Sequence, residues 1–146
     1  MTPRTADMET HGMPTHTPPD RTPPATGTLT VPLYRLAHGR TGDKGNRSNI
    51  SVIAWHPALW PVLQAQVTEE AIARQFAHRA PARVARHLLP LLHAMNVVID
   101  DVLDGGVNDA LNLDSHGKTL AYLLLDMPVR VPADLAGHLA GPGPQA

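Results

Sequence analysis

The chain has 146 residues, of which 42% are hydrophobic, 3% aromatic and 17% charged, with a formal net charge of −1. That length suits one domain with a core of Leu, Val, Ile, Ala and Met, and is too short for two domains of ordinary size. The balanced charge and scarce aromatics exclude the basic footprint and stacking platforms of a nucleic-acid binder, and the absence of cysteine excludes disulfides, thiolate metal sites and a cysteine nucleophile.

Residues 1–29 read as a disordered leader. Prolines at 3, 14, 18, 19, 23 and 24 alternate with threonine, and there is too little apolar surface to offset the entropy of ordering. An unstructured extension and a start placed upstream of the true one both fit. Residues 133–146, with Gly-Pro-Gly-Pro at 141–144, read as a flexible tail, which leaves 30–132 as the folded domain. No secretory h-region and no apolar run of membrane-spanning length is present, so a cytoplasmic protein with no membrane partner is expected.

Within the domain, Val31–His38 reads as a strand, interrupted by a loop at Gly39–Arg47. Asn49–Trp55 resumes as a second strand, with Ile50, Val52 and Ala54 on one face and Ser51 and Ile53 on the other. Pro57 and Pro61 mark a turn into a helix, where Pro61 suits the first helical position and Leu59, Val62, Leu63 and Val67 follow helical spacing. Thr68 can cap a second helix with Glu69 and Glu70 in its first turn, Ile72 and Phe76 as its buried stripe, and Pro81 beyond its end. Arg83–Leu89 and Met95–Leu103 read as strands, Asp104-Gly105-Gly106 as a turn, and Ala110–Leu113 as a short strand. A tight turn at Asp114–Lys118 then leads to a helix carrying Leu120, Leu123, Leu124 and Met127, which Pro128 stops. This order predicts an α+β two-layer sandwich, a small antiparallel sheet with helices packed on one face.

The densest polar cluster is His38–Asn49. Glycines at 39, 42 and 45 allow positive φ and a backbone anion-binding nest, and Arg40, Lys44 and Arg47 add three cations suited to phosphate or carboxylate. The spacing is neither that of a Walker loop nor that of a dinucleotide fingerprint. A solvated surface hairpin fits the same residues. Elsewhere, His93 and Asn96 lie near the best strand and would face the same sheet end as the loop. Asp100 and Asp101 are adjacent and so point to opposite faces, and His87 and His116 lack ligand spacing to another donor. No metal site is expected.

The string His38-Gly39-Arg40-Thr41-Gly42-Asp43-Lys44-Gly45, with Asn49-Ile50 and Val52-Ile53-Ala54 after it, resembles the His-x-Arg-Ser/Thr-Gly-Asp-Lys-Gly signature of one family. That family is the ferredoxin-fold domain of acyclic terpene utilisation protein A (AtuA). The likeness continues through Pro57-Ala58-Leu59, Leu92-His93-Ala94-Met95-Asn96, Asp104-Gly105-Gly106, Leu113-Asp114, Gly117-Lys118 and Leu124-Leu125-Asp126-Met127, about residues 32–130 in all.

The resemblance implies a ferredoxin-like topology without an iron–sulfur cluster, and a free-standing small domain working with a separately encoded large subunit. It also implies a role in acyl-CoA processing during catabolism of acyclic terpenoids or branched acids. A coenzyme A thioester would be the substrate, with no covalent cofactor, and hydratase- or lyase-type chemistry is one reaction class it allows. In that reading Asp43 and Lys44 are a proton-transfer pair, while His38, Arg40, Thr41, Gly42, Gly45, Asn46, Arg47 and Asn49 bind substrate or anion. Thr41 stands where serine is frequent, and Asn46 where an acid is frequent, which leaves the loop one carboxylate. A homo-oligomeric, non-catalytic metabolite-binding module is the alternative, and a self-sufficient enzyme a third.

Overall fold

The computed structural model describes residues 27–106, 114 and 116–141. The leader up to residue 26, the strand expected at Ala110–Leu113 and residues 142–146 lie outside the described residues. The element order is β1 (Thr28–Pro32), β2 (Ala37–Lys44), β3 (Arg47–Ala54), α1 (Trp60–Gln66), α2 (Glu69–Gln75), β4 (Arg83–Leu89), β5 (Ala94–Asp100), α3 (Leu120–Leu125) and β6 (Pro128–Pro132), with short 3-10 turns between several of them. Among the described residues no helix is long and apolar enough to cross a membrane.

Two antiparallel sheets form, a four-stranded one in the order β2-β3-β5-β4 and a β1-β6 ladder, so the α+β class expected from the sequence is the class observed. The ladder was not foreseen. It begins at Thr28, inside the stretch read as leader, and pairs Thr28 with Pro132 and Pro32 with Pro128. Prolines at both ends of a two-stranded ladder remove no central hydrogen bond, while Val129 and Val131 between them are buried. Residues 133–141 differ from a free tail. Ala133–His138 forms a 3-10 turn, Leu135 and Leu139 pack on the core, and the Ala140 N–H donates to the Arg35 carbonyl at 2.8 Å.

The helical segments follow their sequence signals. Thr68 Oγ1 accepts from the Ala71 N–H at 3.2 Å and caps α2, with Glu69 and Glu70 in the first turn. Leu59, Leu63, Val67, Ile72 and Phe76 are fully buried. β4 spans the predicted residues. β5 stops at Asp100 rather than Leu103, because Asp101 turns left-handed (φ 58°) and leaves the ladder.

The largest departure lies at the expected loop. Val31–His38 is not one strand: β1 ends at Pro32, a 3-10 turn covers Leu33–Arg35, and β2 then runs straight through Gly39–Lys44. Only Gly45 and Asn46 turn the chain before β3. A two-residue hairpin with a left-handed glycine in first position (φ 60° at Gly45) matches the twist of the flanking strands, which is why the turn needs no more residues.

α3 packs on β2 through buried residues such as Leu125, and one side chain hydrogen-bonds it to this hairpin. Thr119, its own N-cap, makes no capping hydrogen bond. The Ala121 N–H donates instead to Thr41 Oγ1, 2.9 Å away across the open edge of β2, in a buried environment. A cap supplied by another element satisfies one of the helix's orphan donors and fixes the helix against the strand. Thr41→Val keeps the shape and deletes the acceptor, so it should destabilise the fold by about 1–3 kcal/mol, while Thr41→Ser should stay within about 1 kcal/mol of wild type. Urea denaturation measures both, and equal midpoints for the two variants would refute the capping role.

Candidate functional site

Strand alternation divides the signature between two faces. On β2, Ala37, Gly39, Thr41 and Asp43 share the face of Ile50, Val52, Met95, Val97 and Ile99, which packs on the helices. His38, Arg40, Gly42 and Lys44 lie on the opposite, uncovered face. Register lines up that open face in cross-strand rows. The first is Leu89, Ala94, Ile53 and His38; the second His87, Asn96, Ser51 and Arg40; the third Ala85, Val98, Asn49 and Gly42. Arg83 and Asp100 follow, with Lys44 opposite Arg47 at the hairpin end. The face is therefore apolar at the Leu89–Ile53 end and charged at the hairpin end, with Arg40 bringing a cation into the second row.

The expected glycine nest does not form. Within His38–Asn49 only Gly45 has positive φ, and Gly39 and Gly42 are extended strand residues. Their small size has another use. A Cβ at Gly39 would sit 2.9 Å from the Ser51 carbonyl oxygen, and one at Gly42 would collide with the Asn49 side-chain amide. Asn46 is likewise committed to structure. Its Oδ1 accepts from the Leu103 N–H at 2.8 Å, its Nδ2 donates to Asp101 Oδ1 at 3.2 Å, and its carbonyl accepts from the Val102 N–H at 3.1 Å. Thr41 spends its hydroxyl on α3, and Arg47 pairs with Asp100.

Asp43 and Lys44 are not brought together, since neighbours on a strand point to opposite faces. The partner of Asp43 is Lys118, whose ammonium donates to Asp43 Oδ2, and His116 Nδ1 lies 3.4 Å from Oδ1. The Lys118 ammonium holds the Asp43 carboxyl below its ordinary range, against an opposing effect of burial and with help from His116. The turn that presents Lys118 is built by Asp114, which accepts from the Lys118 N–H at 2.8 Å and from the N–H and hydroxyl of Thr119. Burial pushes the Asp114 carboxyl up, but these hydrogen bonds outweigh it and hold it below the usual range. Lys118 and His116 were not among the expected site residues. The signal was the Asp-x-His-Gly-Lys turn directly before a helix, but nothing in the chain order says that it folds onto Asp43, 75 residues earlier.

The recess on this side of the molecule runs over the open edge of β2. Arg40, Thr41, Gly42, Asn49, Ser51 and Lys118 line one part of it, and Gly39, Ala121 and Tyr122 extend it along α3. In a two-residue hairpin Lys44 and Arg47 form a hydrogen-bonded pair, so alternation directs the N–H groups of Asp43, Thr41 and Gly39 to the open edge. The recess thus combines edge amides with Arg40 and Lys118, plus the neutral polar Asn49 and Ser51. Asn49 Nδ2 donates to Asn96 Oδ1 at 3.4 Å, which brings Asn96 to the rim. Among the described residues no carboxylate pairs with Arg40 or Lys44. His93 stands at the other end of the sheet, in a left-handed conformation with its carbonyl accepting from the Ala54 N–H, and does not join the site. Among the described residues no three His, Asp or Glu side chains gather as metal ligands.

The Asp43–Lys118 contact carries a pH dependence. A carboxyl depressed on folding stabilises the native state above its unfolded pKa of about 4, and that stability is lost as pH falls through the folded value. Melting temperature should therefore fall more steeply below about pH 4 in wild type than in Asp43→Asn. Parallel acid limbs for the two proteins would show that the contact contributes nothing.

No curated protein and no solved structure matches the chain. The model of the AtuA ferredoxin-like domain matches residues 31–130, from the end of β1 to the middle of β6 and across the whole of the recess. With that match spanning most of its length, the chain belongs to the AtuA ferredoxin-like domain family.

Proposed function

We propose that this chain is a small subunit or accessory domain of a cytoplasmic complex that processes acyl-CoA in the catabolism of acyclic terpenoids or related branched acids. Its β2-edge recess would supply the anion-holding part of the substrate site. The observation that carries this reading is Arg40, a guanidinium on the open face without a carboxylate partner among the described residues, across the recess from Lys118 and beside Asn49 and Ser51. Arg40, the edge amides and the neutral donors suit a phosphate or pyrophosphate of coenzyme A, where Arg forms a bidentate contact, and Lys118, which also holds Asp43, adds a point charge.

Membership of the AtuA ferredoxin-like family supports the acyl-CoA class of substrate. The shape of the site supports the role of subunit. The recess is open and built on one strand edge, and among the described residues it holds no base-activated nucleophile of the kind a self-contained active site uses. Asp43 is held ionised by Lys118, so at neutral pH it would act as a base rather than as an acid toward a substrate proton. A separately encoded large AtuA-type chain would supply the acyl-chain pocket and enclose the thioester.

The test is calorimetric titration of the chain, alone and with the large AtuA-type chain, using coenzyme A and an acyl-CoA. Arg40→Ala and Lys118→Ala should each weaken binding about tenfold, the effect of one charge-assisted contact. The two proteins should also co-purify. Absence of heat with either ligand in both settings would reject the substrate class, and failure to co-purify would reject the subunit role.

A further inference from the structure

The end of the sheet away from the Gly45 turn carries an uncovered apolar surface that the recess does not use. Leu91 is 95% exposed, Leu92 67%, Tyr34 52%, Trp55 51% and Leu89 44%. Register and hydrogen bonds gather them at one place. Leu89, Ala94, Ile53 and His38 form the row at this end, and the Ala54 N–H donates to the His93 carbonyl just after the Leu91–Leu92 turn. The Trp55 indole N–H donates to the Tyr34 carbonyl at 3.0 Å, and the Trp55 ring lies 4.5 Å from the ring of His38.

We infer that this end is the contact surface of a homodimer, in which a second copy of the chain covers the same residues in a two-fold arrangement. Area argues for a covered surface. The five large side chains expose on the order of 600 Å², the upper end of what a soluble monomer leaves in one patch and approaching the roughly 800 Å² per partner of a standard interface. Charge argues for a second copy as the occupant. From Ser48 to Thr68 and from Leu88 to Ile99 the chain has no Asp, Glu, Lys or Arg, so the centre of the patch, formed by Trp55, Leu89, Leu91 and Leu92, carries no charge that would select an oppositely charged partner. An uncharged apolar patch can face itself across a two-fold axis without like-charge repulsion. The charged residues nearest the patch are cations at its border: Arg35 follows Tyr34, Arg86 lies three residues before Leu89, and Arg40 lies one row beyond His38, with the Arg35 and Arg86 guanidiniums tied to the Ala140, Gln64 and Val67 carbonyls. This inference does not rest on the acyl-CoA reading, and a dimer can still accept a large subunit through its β2 edges.

Sedimentation velocity on the full chain over a wide concentration range, at low and high salt, tests it. The expected result is a concentration-dependent dimer that added salt does not weaken. The double variant Leu91→Asp/Leu92→Asp should weaken association at least about 100-fold, because both side chains would sit desolvated at the centre of the contact. Arg83→Ala should leave association unchanged. The double variant alters exposed positions only, so its circular dichroism and melting should match wild type. A wild-type monomer at every concentration would overturn the inference, as would a dimer that survives the double variant or dissociates in salt. Assembly only with a different chain would overturn it too, while leaving the subunit role in place.

Discussion

The bond from the Ala121 N–H to the Thr41 hydroxyl organises the site around it. α3 has only six residues and no cap of its own, so its position depends on what it packs against and on that single acceptor. Once Thr41 anchors α3 to the edge of β2, the turn before the helix lies beside Asp43, two residues along the same face of the strand. Lys118 then has a fixed carboxylate to reach. The recess between Arg40 and Lys118 is a consequence of this docking, because without α3 the edge of β2 would be a bare strand edge.

That arrangement separates residues that hold the hairpin from residues that remain free for chemistry. Gly39 and Gly42 leave room for the neighbouring strand and for Asn49; Gly45 makes the turn; Thr41, Asn46 and Arg47 have their polar groups occupied. Arg40 and Lys44 stay outward on the open face, and Asp43 stays at the recess with Lys118. Density of polar residues in a segment therefore measures two demands at once. A hairpin on a sheet edge needs buried polar groups satisfied and close approaches relieved before any of its side chains can meet a ligand.

Much of the fold was legible because its signals are local. Thr68 before two glutamates marks a helix start whatever the tertiary setting, and alternation in Asn49–Trp55 marks the inner face of β3. What could not be read was long-range. Gly39-Arg40-Thr41-Gly42 looks like a loop, since glycine is depleted in strands, yet here close approach by Ser51 and Asn49 makes glycine the residue that fits an extended conformation. β6 was missed because its burial comes from β1, about 100 residues earlier, and Pro128 reads locally as a stop. Lys118 was missed for the same reason. Lys44 is the adjacent lysine in sequence, but the alternation that identifies β2 as a strand also separates Lys44 from Asp43.

The two positions where the signature varies can be read through this geometry. At position 41, threonine and serine both place a hydroxyl where Ala121 needs an acceptor, so either meets the structural demand. Position 46 works the other way. Asn46 accepts from the Leu103 N–H and donates to Asp101, and only an amide does both. An ionised acid there could keep the first bond but would meet Asp101 as a like charge, in a loop where Asp101 and Asp104 already adopt left-handed backbone. Asparagine at this position thus fits the loop after β5 in this chain, and among the described residues of the hairpin the carboxylate that reaches the recess is the one on Asp43.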